Sequence, residues 1–189
     1  MTKERLFFSG VSEIVGSENL GLLILTDEQR TRQISIICDR AMALQIELRV
    51  KKMELTNILL PEVLLHLIRE NVDISLEMVI LNIVDGQYRT LLYNADTNEE
   101  ISFIRASDAV LFSLISDIPI YMKSSLLKRQ SVPFTTTSKG VSLPVNSLSD
   151  EMLQTALDKA ISEENYELAS YLRDEKLRRH RGQNKFNKE

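Results

Sequence analysis

The sequence predicts an α/β body followed by a linker and a C-terminal helical segment, on the basis of three observations. Residues 1–130 are rich in Ile, Leu and Val, arranged in strand-like and helix-like runs that turn signals separate. Residues 131–148 hold two prolines, a glycine and several hydroxyl side chains without a continuing apolar period, as is typical of a linker. Residues 149–182 are charged and place apolar side chains at helical spacing, and residues 183–189 form a short tail.

The composition excludes several classes of protein. The 189 residues are 43% hydrophobic and 26% charged with a net charge of -4, which argues against a disordered, fibrous or uniformly basic protein. Residues 173–189 contain seven basic and three acidic side chains, so the rest of the chain carries -8. Cys38 is the single cysteine, which excludes a disulfide or a cysteine-built zinc site within one chain. No apolar run approaches the roughly 18 residues that span a bilayer, and we expect a cytoplasmic protein without membrane contact.

The first half of the body contains two predicted strands, a predicted helix and one ambiguous segment. Leu20–Leu25 and Ile34–Cys38 are short apolar runs typical of strands. In residues 40–50 apolar side chains alternate with polar ones, which favours a strand, although Met42, Ile46 and Val50 also fit a helix. A helix is predicted over residues 60–70, starting near its proline, because proline cannot occupy a helix interior.

The second half of the body predicts a β-hairpin, a third strand and a helix. Met78–Val84 is nearly all apolar, and Asp85-Gly86 joins it to Gln87–Tyr93 in a typical two-residue turn. Glu100–Ile104 is the third strand. After it, Ser107 is the expected N-cap of a helix over the apolar stretch from Ala109 to Ile115.

A short internal similarity bears on the ambiguous segment. Ile34–Ile37 resembles Ile101–Ile104, and each runs into a polar corner followed by an apolar segment that contains alanine. If this reflects a duplicated strand–strand–helix unit, residues 40–50 are the helix of the first copy. Chance similarity explains so short a match equally well, so both interpretations stay open.

The corner Arg105-Ala106-Ser107-Asp108-Ala109, followed by Pro119-Ile120-Tyr121, resembles the pattern of the bifunctional nuclease family. The resemblance extends back through the Asp85-Gly86 turn and covers roughly residues 20–128. It implies a mixed sheet within the α/β body, a homo-oligomer, and hydrolysis of DNA and RNA.

The resemblance also implies roles for four residues. Asp108 would bind a divalent cation (magnesium or manganese) or orient the attacking water, and Arg105 would stabilise phosphate charge. Ser107 and Thr56 would shape the site.

The chain departs from the family pattern at three places. Asn57-Ile58 replaces a His-Asp pair, Phe103 replaces an acidic residue, and Met42 replaces a glutamate. In the alternative interpretation Asp108 only complements the helix start, Ser107 caps it, and Arg105 pairs with a neighbouring carboxylate.

Other polar residues have simpler explanations. Thr56-Asn57 is typical of a helix cap, and a lone histidine in an apolar helix, His66, is expected to be packed and hydrogen-bonded. Asp39 and Glu47 are candidate carboxylates that surface positions explain equally well. Cys38 is expected to be a small buried apolar residue.

Residues 149–182 resemble the UVR motif, a helical hairpin of excision-repair nucleases and of some protease adaptors. The resemblance rests on Leu153, Leu157 and Ala160, then on the stretches Asn165–Ala169 and Leu172–Glu175. A hairpin of this size cannot bury its apolar stripes alone, so it is expected to bind a protein partner or a second copy. The basic residues of 173–189 fit phosphate contacts, but a solvated helix end is the simpler explanation.

These features support three function classes. The leading hypothesis is a nuclease-family enzyme that acts on phosphodiesters. A catalytically degenerate scaffold, whose hairpin recruits a repair or proteolysis partner, is the alternative, because the His-Asp pair is missing. A small-molecule enzyme is weakest, since no nucleophile stands beside a base by motif.

Overall fold

The computed structural model describes residues 2–14, 17–71, 73–84, 86–134, 150–162, 164, 166, 169–170 and 172–177. The chain divides into two compact units, Met1–Ser142 and Leu143–Glu189, described separately below. Within the described residues, no helix is long and apolar enough to cross a membrane.

The first unit is built on a mixed eight-stranded sheet, as the sequence predicts for the fold class. Its strands are β1 (Lys3–Ile14), β2 (Ser17–Thr26), β3 (Arg32–Asp39), β4 (Leu76–Val84), β5 (Gln87–Asn94), β6 (Glu100–Arg105), β7 (Ile120–Lys123) and β8 (Val132–Pro133). They lie in the order β6-β5-β4-β7-β1-β2-β3-β8. All neighbours are antiparallel except β4 and β7, which are parallel.

The helices of this unit follow the strands along the chain. They are α1 (Arg40–Val50), a 3-10 helix (Glu54–Ile58), α2 (Leu60–Asn71), α3 (Ala106–Ser116) and α4 (Ser124–Gln130). One apolar core joins sheet and helices, and its fully buried members include Leu23, Ile46, Met78 and Met122.

The sheet contains two antiparallel meanders that each lead into a helix. The strands β1, β2 and β3 precede α1, and the strands β4, β5 and β6 precede α3. The two similar segments, Ile34–Ile37 and Ile101–Ile104, lie in β3 and β6, each immediately before its helix. The duplicated-unit interpretation therefore assigned residues 40–50 to the correct structure.

The strand assignment that the alternation in residues 40–50 favoured is wrong. The side chain of Asp39 accepts a hydrogen bond from the Met42 amide (2.7 Å) and begins α1, whose Ala43 and Ile46 are buried while Leu44 is exposed. Packing on β2 decides this face, because a Cβ on Gly21 would lie 2.8 Å from the Ala43 Cβ. Gly21 thus lets the helix approach the strand closely.

Three other details differ from the sequence predictions. The helix α3 begins at Ala106 with Arg105 at the N-cap position, so Ser107 is a buried residue of the first turn and not its cap. His66 is not packed, because its side chain is 74% exposed, with Nε2 3.9 Å from Glu70 Oε1. Val132–Pro133, within the predicted linker, pairs with β3. The rest of that linker, residues 135–148, lies outside the described residues.

The hairpin at residues 84–87 agrees with the sequence prediction. Val84 pairs with Gln87 across the turn, and Gly86 has a φ of 75°, which glycine adopts without strain. Asp85 lies outside the described residues. The predicted strands of residues 20–25, 34–38, 87–93 and 100–104 and the helix of residues 60–70 are also confirmed.

The second unit contains helix α5 (Asp150–Ser162) and further helical residues at 169–170 and 172–177. Leu153, Ala160, Ala169 and Leu172 are buried together in a separate apolar cluster, against which Leu157 packs. These are residues through which the sequence resembles a helical hairpin. The tail at 183–189 lies outside the described residues.

Candidate active site

The candidate site is the corner where β6 ends and α3 begins. Arg105, the last residue of β6, folds back onto Asp108 in the first turn of the helix. Arg105 Nε donates to Asp108 Oδ2 (2.5 Å) and Arg105 Nη2 donates to Asp108 Oδ1 (3.0 Å), a bidentate pair. The arginine side chain is 66% exposed and the aspartate side chain 31% exposed, so the corner is open to solvent.

A second carboxylate acts on the same guanidinium. The hydrogen bond and the charge of Asp108 raise the pKa of Arg105 above its ordinary value, and the charge of Asp39 raises it further. Asp39 ends β3, so the end of the first meander lies within electrostatic range of the end of the second. Helices α1 and α3, which begin at these two ends, also pack against each other.

The two carboxylates do not by themselves form a metal site. Both oxygens of Asp108 accept from Arg105, and Asp39 Oδ1 accepts from the Met42 amide. In the described part of the chain, no three His, Cys, Asp or Glu side chains cluster suitably to hold a metal ion. A divalent cation prefers about six oxygen ligands, so the donors present here do not fit a resident ion.

Two residues that the sequence analysis did not assign to the site lie beside Arg105. Arg89 of β5 is its register partner across the β5–β6 pair, which places two arginines next to each other. The Arg89 guanidinium lies 4.5 Å from the centroid of the Phe103 ring, and Phe103 is 57% exposed. The result is an exposed strip of two cations and one aromatic ring, which we call the arginine strip (Arg89, Phe103, Arg105). Phosphate and a base are the groups that such side chains contact in nucleic acids.

The two hydroxyl residues of the predicted site are buried. Thr56 lies in the 3-10 helix and donates its hydroxyl to the Met53 carbonyl (2.7 Å), which stabilises its own turn. Ser107 is buried in the first turn of α3. The structure therefore brings Arg105 and Asp108 together at the surface and leaves Thr56 and Ser107 as packed residues.

The remaining candidates lie elsewhere or are unreactive. Glu47 is on the surface of α1 with Lys51 Nζ 3.4 Å from its Oε2. Cys38 is buried, and burial and the charge of Asp39 raise the pKa of its thiol to about 11. A thiol with this pKa is protonated at neutral pH and is a poor nucleophile.

Comparison with known proteins gives one finding that bears on this corner. A family model described as the bifunctional nuclease domain matches residues 23–135, which is more than half of the chain and includes both strand–helix corners. Among curated proteins, none matches the chain.

Proposed function

The chain belongs to the bifunctional nuclease domain family, and from this premise we propose that it hydrolyses phosphodiester bonds in DNA or RNA at the Arg105–Asp108 corner. The observation that carries the proposal is the bidentate pair itself, because it joins a phosphate-binding cation to a carboxylate on an open surface.

Arg105 and Arg89 are the residues that bind phosphate in this proposal. A guanidinium offers a planar fork of donors that fits two phosphate oxygens as well as it fits a carboxylate. A substrate phosphate would therefore compete with Asp108 for Arg105, while Arg89 beside it would contact the same or the next phosphate. Phe103, already stacked on Arg89, would stack on a base of a single strand.

Asp108 is the proposed general base. Displacement of Arg105 toward the phosphate releases the oxygens of Asp108, which then accept a proton from water as that water attacks phosphorus. The bond from phosphorus to the sugar oxygen on the opposite side breaks, and the leaving oxygen takes a proton from solvent. Arg105 stabilises the charge that develops on the phosphate oxygens. A general base typically contributes about 10²- to 10⁴-fold to rate.

A nuclease assay with a matched pair of variants tests this proposal. Asp108→Asn removes the base but keeps the shape of the side chain, and we expect cleavage of labelled DNA or RNA to fall roughly 100-fold or more. Asp117→Asn is the control, because Asp117 is exposed at the other end of α3 with φ 61°, a conformation that asparagine tolerates. Magnesium, manganese and chelator are separate arms. Equal cleavage by the wild type and Asp108→Asn would reject the role of this corner.

We propose a second function, protein recruitment by the UVR-like segment, because the second unit has its own apolar cluster and still exposes large apolar side chains. Ile161, Tyr166 and Leu177 are 53%, 69% and 48% exposed. In this function the first unit is a scaffold and the segment binds a DNA-repair or protease partner.

A pull-down that compares the wild type with Ile161→Asp/Tyr166→Ala tests the recruitment. We expect the variant to lose a partner that the wild type captures. Identical partner sets for the two proteins would count against recruitment.

A further inference from the structure

The sheet has a second face, opposite the one that packs against helices α1 and α3. Leu6 of β1, Met78 of β4 and Met122 of β7 belong to one core with residues of those helices. Successive side chains of a strand point to opposite faces, so the residues next to these three along each strand lie on the second face. Strand pairing then arranges the side chains of this face in rows that cross β6, β5, β4, β7 and β1.

The middle row of this face is largely apolar and has an aromatic ring on each side of β4. In order of pairing from β6 to β1, it consists of Phe103, Leu91, Val79, Tyr121 and Arg5. Leu91 and Val79 are buried, whereas Phe103 is exposed and Tyr121 half-buried. Neighbouring strands lie about 4.8 Å apart, so three strand spacings separate the two aromatic residues by about 14 Å.

A cationic row lies beside the middle row, two residues away along β6, β5, β7 and β1. Arg105, Arg89 and Lys123 are exposed, and Lys3 is the register partner of Lys123. On β4, between the arginines and the lysines, the exposed Asn82 is the register partner of Arg89. Two residues of a strand span about 7 Å, so the cationic row runs at roughly this distance from the aromatic residues.

Both aromatic rings are covered by a cation of the second row. The Arg89 guanidinium lies 4.5 Å from the centroid of the Phe103 ring, and Lys3 Nζ lies 4.6 Å from the centroid of the Tyr121 ring. The arginine strip therefore has a counterpart on the other side of β4, which we call the lysine strip (Lys3, Tyr121, Lys123).

An acidic row borders the middle row on its other side. Glu77 of β4 is the register partner of Tyr93 of β5, which is in turn the partner of Glu100 of β6. Burial, the charge and hydrogen bond of Glu100, and the charge of Glu77 raise the pKa of Tyr93. Lys3 donates a hydrogen bond to Glu77, which leaves Lys123 as the exposed cation of the lysine strip. Because like charges repel, a polyanion on this face would place its backbone on the cationic side.

We propose that the lysine strip is a second binding subsite for single-stranded nucleic acid, so that one strand crosses the sheet from β6 to β1. Its phosphates follow the cationic row, and unpaired bases stack on Phe103 and Tyr121. This inference rests on the proposed function, since the phosphodiester that is cleaved is the one at Arg105. A duplex does not fit this arrangement, because its bases are stacked inside the helix and cannot reach the rings.

Fluorescence anisotropy with a labelled phosphorothioate single strand, which resists cleavage, tests the subsite. Lys123→Gln should weaken binding and lower the slope of log affinity against log salt concentration by about one. Tyr121→Leu should weaken binding about 5-fold or more without changing that slope, because stacking carries no charge. Lys51→Gln at the end of α1 is the matched control and should bind as the wild type does, since its side chain is exposed away from this face.

Comparison with Arg89→Gln separates this inference from the proposed function. If the lysine strip is a subsite, Lys123→Gln should raise KM for cleavage of a long single strand and leave kcat unchanged, because the lysine lies away from the cleaved bond. If Lys123→Gln binds and cleaves as the wild type does while Arg89→Gln is impaired, the lysine strip is not a subsite but the proposed function stands. A wild type that neither binds nor cleaves the strand overturns both.

Discussion

The Arg105–Asp108 pair contributes little to the stability of the fold. Both side chains reach solvent, and exposed ion pairs contribute only about 0 to 1 kcal/mol to folding. Variants at these positions can therefore be interpreted as changes in binding or rate. The raised pKa of Arg105 has no consequence in the accessible pH range, because a guanidinium is already charged throughout it.

The arginine strip predicts a salt-dependent affinity for single-stranded nucleic acid. Arg89→Gln should weaken binding, and it should lower the slope of log affinity against log salt concentration by about one, because one phosphate contact is lost. Phe103→Ala should weaken binding by about 1 to 3 kcal/mol without changing that slope, because stacking carries no charge. Fluorescence anisotropy at several salt concentrations measures both. Arg129→Gln, an exposed arginine of α4, is the control and should bind as the wild type does.

The raised pKa of Cys38 predicts that the folded protein loses stability at high pH. Its thiol has a pKa of about 11 in the folded protein against an ordinary 9.0, so the unfolded chain releases the proton first. The contribution of the protonated thiol is fully present below pH 9.0 and is lost as the pH rises toward 11. Urea denaturation across this range should show a smaller decrease for Cys38→Ala than for the wild type. An identical decrease in both would contradict this role of Cys38.

At the scale of elements, the helices are held to the sheet and to each other by a few specific contacts. Helix α1 approaches β2 at Gly21, and the largely buried Arg49–Glu62 ion pair links α1 to α2. Leaving one partner of a buried ion pair without the other costs about 3 to 5 kcal/mol. The position of α2 therefore depends on this pair.

A side chain at position 21 should impose a steric cost that a side chain at position 10 does not. Gly21→Ala would place a Cβ 2.8 Å from the Ala43 Cβ, so α1 has to shift. We expect a destabilisation of about 1 to 3 kcal/mol, the usual cost of overpacking. Gly10→Ala in β1 is the matched control, since a Cβ there meets nothing within 4 Å. Midpoints of urea denaturation compare the two, and equal midpoints would show that α1 is not tightly packed on β2.

At the scale of the molecule, the arrangement of the two meanders determines which residues surround the candidate site. Asp39 and Arg105 end strands that lie in different halves of the sheet, with five strands between them in the sheet order. Helix α3 contacts both β3 and β6, and this packing brings the first corner within electrostatic range of the second. The arginine strip is thus a local cationic feature on a chain whose residues 1–172 carry a net charge of -8. In the proposed function, this contrast favours binding of the phosphate backbone at this corner over binding to acidic parts of the surface.

The sequence by itself determined those features of the protein that depend on local interactions. The strands of residues 20–25 and 34–38, the hairpin at Gly86 and the pairing of Arg105 with a neighbouring carboxylate all follow from neighbours within a few residues. The motif of residues 105–121, with the Asp85-Gly86 turn before it, pointed to the family that the comparison shows. Only the tertiary structure decided that residues 40–50 are helical and that Arg89 and Phe103 flank Arg105. Each of these depends on which face another element covers, and contacts between residues far apart in sequence set that burial.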